Sequence, residues 1–177
     1  MNSDQRSGLI TYLKELAKKE DRGALAQLRR GLGKPPGLSI EMMPYVTPFI
    51  PRDARPSHAR AAFTVAALFA IYPESTDIGN IGDHMKRLFK ASGERDSIEL
   101  RFRAMLNAPF DSLPHHLRQA VNLLRSYGIA VNWDDLYSDI INWSHPEKFV
   151  QRRWANSFWN DNTRNTDENI NDQSKGE

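Results

Sequence analysis

Apolar side chains recur three and four positions apart along almost the whole chain. Leu117, Ala120, Val121 and Leu124, for example, fall on one side of a helical wheel. No segment alternates apolar and polar residues for more than a few positions, so the pattern predicts no strand. We therefore expect an all-α fold, made of two small helical bundles packed together with no sheet.

Helix start and stop signals divide this apolar pattern into segments. Asp96 with Glu99, and Ser144 with Glu147, have the spacing of a capping box at a helix start. Asn132 is a further candidate for an N-cap. The expected helices run from about 3 to 19, 22 to 30, 40 to 45, 58 to 72, 81 to 91, 97 to 107, 111 or 112 to 126, 133 to 143, and from the Pro-containing turn at 146 to about 158.

A polar, glycine-containing turn at residues 92–95 is the expected junction between the two halves of the chain. We predict an N-terminal helical bundle over residues 1–92 and a C-terminal helical bundle over residues 93–160. Residues 161–177 are rich in asparagine and carry a net charge of −3. Because such a composition has too little apolar surface to bury, we expect a disordered acidic tail there.

The sequence gives no sign of export or of membrane insertion. The N-terminus carries Asp4 and Arg6 where a signal peptide has an apolar run. The most apolar stretch, residues 61–72, is too short to span a bilayer. Cysteine is absent, which fits a reducing compartment. We therefore expect a cytoplasmic protein without a membrane partner.

The net charge of +2 is unevenly distributed. Residues 14–60 hold ten Lys and Arg side chains against five acidic ones, and the chain without residues 161–177 carries +5. A basic surface of this kind favours an anionic partner, of which nucleic acid is the commonest. A merely solvated surface explains the charge equally well at this point.

No catalytic or metal-binding motif is recognisable in the sequence. Residues 31–34 (GLGK) resemble the end of a phosphate-binding loop, but the first glycine of that motif and the hydroxyl after the lysine are missing. The five histidines lack HExxH spacing and cysteine partners, and there is no GxSxG motif. We therefore expect no enzyme activity, no metal, no cofactor and no small-molecule substrate.

One pair of carboxylates nevertheless suggests an alternative. Asp135 and Asp139 lie four positions apart on one helix face and could hold Mg²⁺ in a nuclease. Asp134 and Asp135 are also explained by the helix dipole, which favours anions in the first turn. The structural interpretation is favoured, because no further acidic cluster completes the set.

The outward-facing basic residues are the candidate binding residues. Arg30 and Lys34 point away from the apolar stripe of their helix, and Arg118 and Arg125 form a polar stripe opposite Val121. Arginine suits bidentate contact with phosphate. The candidate nucleic-acid-binding residues are Arg22, Arg29, Arg30, Arg101, Arg118 and Arg125, with Lys34 and Arg52 at the periphery. Any one of them has a solvated or salt-bridged side chain as its alternative, but as a set the outward arginines favour a surface that binds nucleic-acid backbone.

The four tryptophans all lie between residues 133 and 159. Trp133, Trp143 and Trp154 are expected in the core, since a large aromatic at helical spacing most often packs inside. Trp159 lies at the end of the last helix. It is the tryptophan best placed to stack on a base or to dock on a partner.

A family resemblance extends from residue 21 to residue 159. It is carried by the segments RGALAQLRRG, HARAAFTVAALFAIYP, IELRFRAML, LPHHLRQAVNLL, VNWDDLYSDIINW and VQRRWANSFW, in this order. In their order and spacing these segments resemble the CasB family, the small subunit of the type I-E CRISPR surveillance complex (Cascade). The acidic tail has no dependable counterpart.

The resemblance implies an all-helical, non-catalytic subunit that is present in two copies. Its implied partners are the large subunit, the guide-RNA backbone subunits, guide RNA and target DNA. A basic face would support the guide RNA–target DNA hybrid and hold the displaced strand of the R-loop. The residues implied for that face are the eight candidates named above. A protein–protein scaffold, whose arginines meet acidic partner surfaces, is the second hypothesis.

Overall fold

The computed structural model describes residues 3–160, with side chains from residue 8 onward. These residues form helices and no strand, and Ser75 and Val131 make an isolated bridge. The all-α prediction is confirmed. The helices are α1 (Ser3–Lys18), α2 (Arg22–Arg29), α3 (Met43–Val46), α4 (Pro56–Phe69), α5 (Ile81–Ala91), α6 (Asp96–Leu106), α7 (Leu113–Ser126), α8 (Trp133–Asn142) and α9 (Phe149–Trp159), with 3₁₀ turns at Ile40–Met42 and Thr47–Phe49. The expected acidic tail lies outside the described residues.

Helix α4 is the centre of the fold. Every residue from Ala61 to Ala70 is buried, because α1, α2, α7 and α8 all pack against this helix. Five of these positions are small alanines that let neighbouring helices approach closely. The most apolar segment of the sequence is therefore a core helix, as predicted.

The second main contact joins α5 to α9. A Cβ atom at Gly82 would overlap the Trp154 carbonyl oxygen and lie 2.8 Å from its carbon, so the two backbones touch. Asn80 starts α5 by accepting from the Gly82 N–H at 2.7 Å, while the Asp83 carboxylate accepts from the Asn80 N–H at 2.8 Å. The Asn80 side chain also donates to Ser157 of α9 at 2.8 Å. One capping box thus fixes both the start of α5 and its position on α9.

Of the predicted caps, only the one at Asn132 forms as expected. Its side-chain oxygen accepts from the Asp135 N–H at 3.2 Å. The capping box predicted at Asp96 and Glu99 is wrong, because Asp96 is already inside α6 and Arg95 occupies the cap position without a side-chain bond. The Glu99 carboxylate instead accepts bonds from Arg103.

The capping box predicted at Ser144 and Glu147 is also wrong. Helix α9 begins only at Phe149, after Lys148 takes a left-handed conformation with φ of 52°. The Trp143 carbonyl accepts from the Gln151 side chain at 2.8 Å, so a side chain of α9 closes the end of α8. After this turn, the Trp154 ring of α9 packs 5.0 Å from the Trp143 ring at the end of α8.

The two expected halves share one core. Helix α8 packs on α4, and α5 packs on α9 and α6. Buried side chains from both sides of residues 92–95 belong to one continuous cluster. The division at residue 92 therefore stays a prediction about how the chain is organised.

Candidate nucleic-acid interface

A cleft of about 480 Å³ runs along the side of α4 that faces α2 and α7. Its floor is made by one face of α4, at Phe63, Thr64, Ala67 and Leu68. These residues share a face because they are spaced three and four positions apart. The walls are the loop at residues 31–37 and the start of α7. We call this feature the α4 cleft.

Two glycines allow the loop to form the wall of the α4 cleft. Gly33 and Gly37 have φ of +79° and +89°, conformations that side chains rarely adopt. A Cβ atom at Gly37 would lie 3.7 Å from the ring of Phe63, and one at Gly33 would lie 3.6 Å from the guanidinium of Arg118. The GLGK segment is therefore the wall of a cleft, following a helix rather than the strand of a P-loop.

Three basic side chains line the α4 cleft: Lys34, Arg60 and Arg118. Arg60 pairs with Asp111 and lies 4.4 Å from the ring centroid of Phe110. Lys34 is 3.8 Å from Glu41, a long contact between partly exposed groups. Arg118 has no ion pair among residues 8–160, so its charge is available to an external anion.

Two more arginines lie at the far end of α4. Arg29 donates to the Ala70 carbonyl at 3.1 Å. Burial raises the pKa of Tyr72, and the nearby charge of Arg125 partly opposes that rise. The backbone from Arg60 to Ala70 rises about 15 Å at the helical rise per residue. These two arginines therefore lie beyond the end of the cleft and do not line it.

Glu41 is the main competitor for these cations. A backbone hydrogen bond and the Ser39 hydroxyl, at 2.8 Å, hold the pKa of Glu41 below its ordinary value, with help from Lys34 and Arg30. Arg30 lies 3.7 Å from the same carboxylate. Glu41 thus neutralises part of the charge at the cleft rim and positions both cations beside it.

The other predicted residues do not line the α4 cleft. Arg22 is exposed at the opposite end of α2 from Arg29, and Arg52 is exposed between the second 3₁₀ turn and α4. Arg101 makes a long bond of 3.4 Å to Gln119 and lies beside Met85, between α6 and α7. Of the eight predicted residues, the structure therefore brings Lys34 and Arg118 to the cleft and leaves the other six outside its lining.

Arg60 is the cleft residue that the sequence analysis missed. It lies in the first turns of the helix that was recognised for its apolar core face, where a single charge is easily taken as solvated. The available signal was its spacing: Arg60 precedes Phe63, Thr64 and Ala67 by three, four and seven positions.

Asp135 and Asp139 do not form an open cation site. Arg153 pairs with both carboxylates, and the Trp154 indole N–H donates to Asp139 at 2.6 Å. Burial raises the pKa of Asp139 to about 7, with the Asp135 charge adding to the rise. In residues 3–160 no cluster of three or more potential metal ligands is present. The pair is a structural element that positions α9.

Three of the four tryptophans lie in the core, as predicted. Trp133, Trp143 and Trp154 are fully buried. Trp159 is 41% exposed, but its indole N–H donates to Glu99 at 3.2 Å and the guanidinium of Arg103 lies 5.0 Å from its ring. Its role in base stacking or docking stays a prediction.

Among the described residues, no helix has the length and apolarity required to cross a membrane.

The fold and the cleft define an all-α protein with a basic groove along its central helix. Residues 24–159 match the family described as CRISPR-associated protein Cse2. The chain belongs to the Cse2 family, and the resemblance to CasB is confirmed.

Relatives and solved structures agree with this assignment. A Cse2 protein from Thermus thermophilus is 34% identical over 152 residues, which cover 85% of this chain and 87% of the relative. The structure of CasB from the same organism has a TM-score of 0.77 at 31% identity, covering 87% of this chain and 97% of its own. A chain of a CRISPR RNA-guided surveillance complex has a TM-score of 0.77 at 27% identity, covering 88% and 92%.

Proposed function

We propose that this chain is the non-catalytic small subunit of a cytoplasmic type I-E CRISPR surveillance complex. In that role it binds nucleic-acid backbone and stabilises the guide RNA–target DNA hybrid and the displaced strand. The observation that carries the proposal is the α4 cleft, where Arg118, without an ion pair among the described residues, faces Lys34 and Arg60. The similarity to a chain of a surveillance complex supports the same role.

The proposed partners follow from that role. They are the large subunit, the guide-RNA backbone subunits, a second copy of this chain, guide RNA and target DNA. Base pairing with the guide reads the target sequence in such complexes, so the protein needs only to grip backbone. The grip of the α4 cleft would then be electrostatic, tolerant of sequence and weakened by salt.

A salt titration of single-stranded DNA binding tests the proposal. We would compare the wild type with a Lys34→Ala/Arg60→Ala/Arg118→Ala variant by fluorescence anisotropy. Each lost phosphate contact removes about 0.7 from the slope of log K against log salt. We expect the variant to bind more weakly at low salt and to lose up to about 2 units of slope.

A charge-matched control separates the cleft from the net charge. The Arg87→Ala/Arg95→Ala/Arg152→Ala variant removes three exposed arginines, which lie in α5, in the turn before α6 and in α9, respectively. None of the three lines the cleft. Its slope should stay close to that of the wild type. Equal losses in the two variants, or no binding by the wild type at low salt, would reject the proposal.

The scaffold hypothesis is the second candidate, and one observation favours it. Leu38 and Ile40, on the segment that borders the cleft, are 68% and 75% exposed. Exposed apolar side chains close together favour a protein contact. A Leu38→Ser/Ile40→Ser variant should then lose assembly with the other subunits while keeping its DNA affinity. Normal assembly of this variant would remove the specific support for a contact there.

A further inference from the structure

We propose that the α4 cleft binds an unpaired nucleobase of a single strand together with the adjacent phosphate. The inference rests on the proposed function, because it assumes that a single strand lies along α4. It adds a site for the base itself, which backbone binding does not require.

The depth of the cleft is the first argument. A surface that grips only phosphates needs no cavity, whereas this cleft encloses about 480 Å³. That volume lies within the usual range of pockets for small ligands, about 300–1,000 Å³. Its lining is predominantly apolar and includes Phe63, Ala67, Leu68, Leu32 and Pro36. Such a lining suits the flat, weakly polar surface of a base.

The placement of charge is the second argument. Arg118 and Lys34 lie beside the apolar lining, as a base and its own phosphate require. Arg60 is held by Asp111, which is exposed and therefore contributes little as an ion pair. An incoming phosphate can replace that carboxylate on Arg60.

The chemistry of the lining also predicts weak base preference. Packing of a base on an apolar or aromatic surface uses the ring face that every base has. The α4 floor, on which the ring would pack, offers one hydroxyl, that of Thr64, while the charged side chains Lys34, Asp111 and Arg118 lie on the walls. The site therefore fits a sequence-tolerant subunit, in which any unpaired base can enter.

The test compares ligands of equal charge. Oligothymidine of twelve nucleotides and a twelve-unit strand of abasic sites carry the same phosphates, but only the first has bases. We expect the wild type to bind the oligothymidine at least about fivefold more tightly, the lower limit for packing one base. Oligouridine and a matching abasic RNA strand are compared in the same way. Tighter binding of the strand with bases, in DNA or in RNA, supports the proposal.

A cavity-filling variant locates the effect. Ala67 lines the cleft from α4, so Ala67→Met should occupy the space for the base while leaving every cation in place. We expect the preference for strands with bases to disappear and the salt slope to stay unchanged. Ala104→Met, at an exposed position of α6, is the control and should keep the preference.

The outcomes separate this inference from the proposed function. Binding with a steep salt slope but equal affinity for both strands in the wild type would overturn the base site alone. A preference that survives in folded Ala67→Met would also overturn it. Absence of binding to all strands would reject the proposed function as well. If Ala67→Met does not fold, the comparison of strands with and without bases on the wild-type protein still tests the base site.

Discussion

Two regions of the molecule differ in whether their polar groups have partners inside the protein. In the tryptophan core, formed by Trp133, Trp143 and Trp154, each buried indole N–H has an internal acceptor. These acceptors are the Glu74 carbonyl at 3.2 Å, the Ala108 carbonyl at 2.9 Å and the Asp139 carboxylate at 2.6 Å. In the α4 cleft, Arg118 has no ion pair among residues 8–160. The three indoles are matched inside the protein, while the cleft leaves the charge of Arg118 available to a partner.

The contrast shows how the chain separates folding from binding. Buried polar groups without partners destabilise a fold, so the indoles must be matched inside the protein. Exposed cations are solvated by water and cost little until a ligand arrives. Substitutions in the tryptophan core should therefore change stability, whereas substitutions in the α4 cleft should change binding.

The largest effect is expected for Trp154→Ala. The change leaves a large cavity between α8 and α9. It also removes the indole N–H that donates a hydrogen bond to Asp139. We therefore expect a loss of about 3–5 kcal/mol in the free energy of unfolding. Urea denaturation measures it. Trp159→Ala, at a half-exposed position, should cost only about 1 kcal/mol. Similar losses for the two variants would contradict the distinction between them.

The contact between α5 and α9 gives the next prediction. Gly82→Ala places a methyl group against the Trp154 carbonyl, so we expect a loss of about 1–3 kcal/mol from overpacking. Gly23→Ala is the matched control, because its Cβ would meet only Asp21 at 3.5 Å. In helix α2 the control should stabilise the protein by up to about 1 kcal/mol. Stabilisation by both changes would mean that the helices are further apart than described.

Two buried groups make opposite contributions to the pH dependence of stability. Burial lowers the pKa of His84 from 6.5 to about 4, so the unfolded chain gains a proton first and acid destabilises the fold between these values. Burial raises the pKa of Asp139 from 3.8 to about 7, so the folded chain gains a proton first and acid stabilises it there. Between about pH 4 and 6.5 the two contributions nearly cancel.

Asp139→Asn removes one side of that balance. The amide can still accept from Trp154, but it does not titrate, so the destabilising effect of His84 is left unopposed. From pH 6.5 to pH 5 the variant should lose about 1.5 kcal/mol more stability than the wild type. Urea denaturation at the two pH values tests this. Parallel behaviour of the two proteins would show that the contributions do not oppose each other.

The smallest effect on stability is expected in the α4 cleft. Arg118→Ala should change the free energy of unfolding by no more than about 0.5 kcal/mol, because its guanidinium makes no internal ion pair among the described residues. The same variant should bind single-stranded DNA measurably more weakly. A large loss of stability would mean that Arg118 holds the fold together, and the contrast between core and cleft would fail at this residue.

The sequence predicted the helices and the tryptophan core because both depend on spacing along one helix. The cleft was predicted only in part. A helical wheel turned Arg118 outward, as observed, but Lys34 lies in the loop after α2, where no wheel applies. Neither pattern could show that the two residues meet beside α4. The meeting depends on the left-handed Gly33 and Gly37 and on helices distant in sequence.

The errors at helix starts have a related cause. Ser144 and Glu147 have capping-box spacing, yet Gln151 closes the preceding helix instead. At α6, the Glu99 carboxylate accepts from Arg103 and from Trp159 of α9. Tertiary partners compete for the same side-chain atoms, and their positions are not visible in a local pattern.

The central claim is that nucleic acid binds at the α4 cleft, and arginine footprinting tests it most directly. The wild-type protein would be treated with phenylglyoxal with and without single-stranded DNA, and modification would be read at each arginine by mass spectrometry. We predict that DNA protects Arg60 and Arg118, which line the cleft, while Arg95 and Arg152 react as before. Protection of Arg95 and Arg152 with continued modification of Arg118 would contradict the account.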